Sequence, residues 1–128
     1  MNKLIIDATR DKIFLMVINN DTSQKITHEN SKINYEKLTL FITEFLKSKN
    51  LELKNVSQIY VNRGPGSFAG IRNSLSIVKA IHFVNKIDYY SFSFTDFSGE
   101  NKIKYENIPK LCEKFKIKKN LINPIYLS

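Results

Sequence analysis

The sequence predicts an α/β fold: a mixed five-stranded sheet, built from an antiparallel meander and then a strand-helix-strand unit, with helices packed on it. Two apolar periodicities and one turn motif predict it. Short runs rich in β-branched and aromatic residues recur along the chain, two longer stretches carry apolar residues at helical spacing, and a glycine-rich turn joins a strand to a helix. At 128 residues the chain is one domain's worth, a size that buries roughly two thirds of the surface the unfolded form exposes.

Residues 3 to 7, "KLIID", form an apolar strand ending on an aspartate, followed by the turn "ATRDK" and a second strand from Ile13 to Ile18. "NNDTS" is a turn, and Gln24 to Glu29 alternates weakly as a third strand. Asn34 is the expected N-cap of a first helix through about Lys49, with Tyr35, Leu38, Phe41, Ile42, Phe45 and Leu46 at helical spacing. Val56 to Val61 is the fourth strand. A second helix runs from about Ala69 to Asn85, its buried face traced by Ile71, Leu75, Val78, Ile81 and His82. Tyr89 to Phe94 alternates aromatics with serines as a fifth strand, parallel to the fourth through the intervening helix. Beyond Thr95 the chain turns polar, and a short helix begins at Pro109, a residue suited to a first helical turn. This order of elements is that of a ribonuclease H-like or actin-like lobe.

Composition narrows the functional classes. The chain is 42% hydrophobic with no tryptophan, which is ordinary for a globular protein and excludes a low-complexity segment. Its formal net charge of +8 is almost all lysine, spread along the chain and concentrated only in "KFKIKK", Lys114 to Lys119. Arginine, the better phosphate ligand, stands only at positions 10, 63 and 72, so the charge by itself does not designate a nucleic-acid protein. The single cysteine, Cys112, excludes an internal disulfide or a multi-cysteine zinc site; it shares a helical face with Leu111 and Phe115 and reads as core. No signal-peptide pattern and no apolar run of about 20 residues is present, so a cytoplasmic protein without a membrane partner is expected.

The stretch "RGPGSFAGIR", residues 63 to 72, holds three of the chain's four glycines. Glycines packed this closely mean that backbone must approach something. The stretch is very close to the "GPGSFTGLR" signature of the bacterial TsaB (YeaZ) proteins, with Ala69 in place of the usual threonine and Ile71 in place of leucine. "LIIDAT" resembles that family's first strand "LAIDTS", "SFSFTDF" its "VSSL" segment, and "NPIYLS" its closing "PLYLR". The resemblance implies a single actin-like lobe over residues 1–97. Residues 98–128, a polar lysine-rich tail with a short helix, stand where the family carries a second lobe. It also implies a role in making the threonylcarbamoyl modification of the adenosine beside the tRNA anticodon. In that pathway TsaB is not the catalyst. It pairs with the catalytic paralogue TsaD, reaches TsaE through the TsaD complex and tRNA indirectly, and forms a homodimer when TsaD is absent.

The residues give little support to chemistry on this chain. There is no HExxH motif and no credible Ser/His/Asp set, and His28 and His82 lie in unrelated contexts. Actin-like ATPases hold phosphate on a loop after the first strand. Asp7 and Thr9 match such a loop as a vestigial nucleotide site, but Ala8 and Arg10 stand where glycine would permit close backbone approach. The glycine turn lacks the Gly-Lys-Ser/Thr of a Walker loop, and no cofactor or metal is expected. Two readings of the turn stay open. In the structural one, Gly64 and Gly66 let the chain turn sharply, Pro65 stiffens the turn and Gly70 lets the second helix pack closely. In the other the turn binds a partner, with Phe68 as an apolar anchor in a loop. The resemblance places that partner surface on the two helices, with Phe68, Ile71, Arg72, Leu75, Leu38, Phe41 and Phe45 as its candidates. Core is the competing reading for each aliphatic residue. Arg72 has three candidate roles: a salt bridge across a dimer, a partner for Asp7, or a solvated cation. A divergent actin-like nucleotide-binding protein or enzyme and a lysine-driven RNA-binding module are the two alternative functions.

Overall fold

A computed structural model describes residues 1–126; the last two residues of the "NPIYLS" resemblance lie outside the described residues. Strands β1 (Asn2–Asp7), β2 (Lys12–Asn19) and β3 (Thr22–Glu29) form the expected meander. Helices α1 (Lys32–Glu36) and α2 (Leu38–Ser48) follow, then β4 (Val56–Asn62), α3 (Phe68–Asn85), β5 (Asp88–Phe92) and α4 (Ile108–Lys114). The sheet order is β3-β2-β1-β4-β5. β1 pairs antiparallel with β2 and parallel with β4, and β4 pairs parallel with β5.

Alternation along the strands divides the core in two. Leu4, Ile6, Leu15, Ile59 and Val61 point to one face, where α2 and α3 cover them with Leu38, Ile42, Phe45, Ile71, Leu75 and Val78. Ile5, Met16, Tyr60 and Phe92 point to the other, where Phe97 and the short α4 supply Ile108, Leu111 and Cys112. Each buried aliphatic side chain contributes about 1.5–3 kcal/mol to this packing. The polar stretch after Thr95 therefore carries the cover of a whole sheet face, through apolar residues set at intervals among its lysines.

The first helix differs from the expectation. Ser31, not Asn34, is the N-cap, its hydroxyl accepting the Asn34 amide at 3.2 Å, while the Asn34 side chain donates to the Glu29 carbonyl at 2.7 Å. The helix also breaks at Lys37 into α1 and α2. The break gives Tyr35 a direction of its own. Its hydroxyl reaches Ser67 Oγ at 2.8 Å, while the α2 stripe turns to the sheet. α3 begins one residue earlier than its pattern suggests, on the Ser67 cap.

The glycine turn and the helical face as candidate site

Asn62, at the end of β4, starts the turn. Its side-chain oxygen accepts the Gly64 amide at 2.9 Å and its Nδ2 donates to Asp7 Oδ2 at 3.0 Å. Gly64 sits at φ +112°, in the region L side chains avoid, and the Gly64–Pro65 peptide bond is cis. The Ser67 amide then donates to the Thr9 carbonyl at 2.9 Å, docking the turn on the loop after β1. A Cβ on Gly66 would stand 2.8 Å from Thr9 Cβ, and one on Gly70 would overlap the Ala8 carbonyl oxygen. What approaches these glycines is thus the chain's own backbone: Ala8 and Thr9 from one side, Ile125 from the other.

Asp7 and Thr9 come together as their sequence placement suggests, but the carboxylate is already spoken for. Oδ1 accepts the Thr9 amide at 2.9 Å and the Thr9 hydroxyl at 2.6 Å, and Oδ2 accepts Asn62 and the Tyr105 hydroxyl, the latter at 2.6 Å. Asp7 is buried, and burial followed by the neighbouring Asp7 charge pushes the Tyr105 hydroxyl upward in pKa, so it stays a donor. Four neutral donors satisfy the buried anion, which leaves no lone pair facing an incoming group. A phosphate here would meet uncompensated negative charge. The α3 N-terminus is occupied as well: Ser67 Oγ accepts the Gly70 amide at 3.2 Å and is itself bonded to Tyr35. Among the described residues no group of three His, Cys, Asp or Glu could hold a metal ion.

Sequence reasoning did not reach Asn62, Tyr105 or the Arg63–Asp96 pair. Arg63 Nη2 meets Asp96 Oδ1 at 2.6 Å with both side chains mostly buried, and its Nη1 donates to the Asn123 carbonyl at 3.1 Å. Tyr105 and Asp7 are 98 positions apart, a separation no local pattern bridges. The only advance signal was the isolated arginine before the glycines.

The candidate interface residues separate. Phe68 is 54% exposed, its ring tilted against Tyr126 at 4.6 Å, and Arg72 is exposed one turn on. Arg72 belongs to no described salt bridge, and Asp7 has no room for it. Leu38, Phe45, Ile71 and Leu75 are core, which corrects the expectation that they offer surface. The reason is periodicity: each lies on the stripe that its helix turns to the sheet. Phe41 is half-buried, stacked on His28 with ring centroids 3.9 Å apart. The apolar surface on this side comes instead from Ile33, Leu40, Phe83 and Val84, the last two 76% and 73% exposed.

No curated protein matches the sequence. Among solved structures, YeaZ from Pseudomonas aeruginosa superposes with a TM-score of 0.66 at 18% identity, over 72% of this chain and 43% of that one. A Pseudomonas aeruginosa protein described as similar to peptidase YEAZ gives the same figures. RuvC from Thermus thermophilus superposes with a TM-score of 0.55 at 12% identity, over 90% of this chain and 80% of that one. These likenesses establish the ribonuclease H-like and actin-like fold, and the chain spans less than half the length of the YeaZ structures. The family model described as TsaD, tRNA N6-adenosine threonylcarbamoyltransferase, matches residues 6–114. That match takes in the end of β1 with Asp7, the glycine turn and α4 together, and by it the chain belongs to the TsaD family.

Proposed function

We propose that the chain is a non-catalytic subunit of the machinery that makes threonylcarbamoyladenosine in tRNA, working in the cytoplasm and acting through protein pairing. In this reading residues 1–97 are the pairing lobe and residues 98–128 the remnant of a C-terminal region. The lobe pairs with the catalytic paralogue TsaD, reaches TsaE and tRNA through it, and self-associates in its absence. The observation that carries the proposal is the filled state of the glycine turn. The groups that could have met a nucleotide are bonded to one another, while Phe68 and Arg72 lie open beside them. A half-exposed aromatic at a helix start, with exposed Leu40 and Ile33 on the same side of the sheet, has the character of an interface anchor.

Sedimentation of the chain with TsaD from the same organism tests this. A one-to-one complex is expected, and Phe68→Asp should abolish it while leaving the monomer's melting temperature nearly unchanged. Retained pairing in Phe68→Asp would remove Phe68 from the interface. A chain that forms no complex, yet melts higher with ATP and magnesium, would instead establish a nucleotide-binding protein.

A further inference from the structure

The segment that covers the sheet face opposite α2 and α3 is the most densely basic stretch of the sequence. "KIKYENIPKLCEKFKIKK", residues 102 to 119, sets seven lysines against two glutamates. Lys114 is paired with Glu100 at 2.6 Å and Lys119 with Asp88 at 3.4 Å. Lys110 and Lys116 belong to no described ion pair. Together with Lys3, from β1, they line a cavity of about 430 Å³ between α4 and the sheet. Tyr90 and Tyr60 also line it, their rings stacked 12° from parallel with centroids 5.1 Å apart. Tyr60 is buried and anchored by its hydroxyl bond to Gln58 at 2.9 Å, and Tyr90 is half-buried. The stack therefore presents one braced aromatic ring toward a cavity ringed by ammonium groups. Lys116 continues into a second, smaller cleft of about 170 Å³ with Lys118, so the basic lining is extended.

A braced aromatic face takes a nucleobase by stacking, and lysines at a cavity's edge take the phosphates on either side of it. A cavity of this size falls within the ordinary range for a small ligand and suits one unstacked base, not a duplex. Glu113, the one carboxylate lining the cavity, can accept from a base amino group. We infer that this cavity holds a base of a single-stranded RNA segment, stacked on Tyr90, with Lys3, Lys110 and Lys116 on the flanking phosphates. The choice of RNA over DNA rests on the proposed function; the strand-binding chemistry does not.

The test is fluorescence anisotropy of a labelled ten-nucleotide oligoadenylate with the full chain, across a range of ionic strength. Lys110→Gln with Lys116→Gln should weaken binding about tenfold and flatten the dependence of log affinity on log salt by roughly 0.7 per lysine. Tyr90→Leu should weaken it about tenfold with the salt dependence kept. Lys47→Gln with Lys79→Gln removes the same charge from the opposite face and should change it less than about twofold, because those lysines lie beyond the strand's reach. No binding at low ionic strength, equal losses from both lysine pairs, or no effect of Tyr90→Leu with an unchanged melting temperature would each overturn the site. Equal affinity for the deoxy strand would overturn the choice of RNA. Pairing with TsaD is read separately by sedimentation, so a failure of either proposal is seen without the other.

Discussion

Gly70 shows how a single residue in this chain inverts a general rule. Alanine in place of a helical glycine ordinarily gains about 1 kcal/mol. At position 70 the added methyl would overlap the Ala8 carbonyl oxygen and stand 3.2 Å from the Tyr35 ring, so α3 would have to move off the β1 loop. Gly70→Ala is expected to cost about 3 kcal/mol in urea unfolding. Gly99→Ala, at φ +86° in open space, should cost only about 1 kcal/mol, from the backbone alone. Equal losses at the two sites would refute the close approach as the reason for Gly70. This residue's role was legible in the sequence, because a glycine in the first turn of a helical stripe weakens the helix unless something packs against it. Asp7 and Thr9 were legible as a pair because they stand two positions apart at the end of a strand. Asn62 and Tyr105 were not, because polar residues show in a sequence only when their partners are near in it. The core placement of Ile71 and Leu75 was legible too, and only the resemblance drew them toward the surface.

At the scale of elements, the chain beyond β5 is held by a few polar ties as much as by its apolar residues. The Asn120 amide donates to the Tyr89 carbonyl at 2.7 Å, Ser91 Oγ to the Leu121 carbonyl at 2.5 Å, and the Ile125 amide to the Arg63 carbonyl at 2.7 Å. This segment closes the β5 edge of the sheet, which would otherwise lie open. Arg63 is the centre of the arrangement because its side chain joins Asp96 to the Asn123 carbonyl. Removing it leaves a mostly buried carboxylate without its cation. Arg63→Ala is expected to lower stability by about 3 kcal/mol. It should also speed hydrogen exchange at the Asn120 and Ile125 amides more than within β1. Uniform acceleration would mean that Arg63 supports the whole fold and not this segment. The strands and α3 were readable from periodicity. The break at Lys37 was not, since the apolar spacing runs through it and only the distant Ser67 hydroxyl draws Tyr35 aside.

The whole molecule carries a titration signature. Burial, with Asp96 adding to it, pushes the Cys112 thiol up to about 12, and burial likewise raises the hydroxyls of Tyr60 and Tyr105. An unfolded thiol loses its proton near pH 8.5 and an unfolded tyrosine near pH 10. Between those values and the native ones the unfolded chain has released protons that the native chain still holds, so rising pH favours unfolding. These three groups add no slope below about pH 8; above it stability should fall by up to roughly 1.4 kcal/mol per pH unit for each group engaged. Urea midpoints across this range check it. Cys112→Ala should flatten the fall near pH 9, before the tyrosines contribute, and an unchanged slope there would assign the effect elsewhere. The arrangement of the sheet was foreseeable from the order of strand and helix patterns, whereas the covering of its second face by α4 was hidden under a lysine-rich composition. That late cover has a consequence during synthesis. When β5 has left the ribosome, Ile5, Met16, Tyr60 and Phe92 already line up on a finished sheet, yet Ile108, Leu111 and Cys112 have not emerged. At roughly 5–20 residues per second the nascent chain presents that bare apolar face for on the order of a second or more. Nascent-chain chaperones therefore have a defined interval, and a defined surface, on which to act.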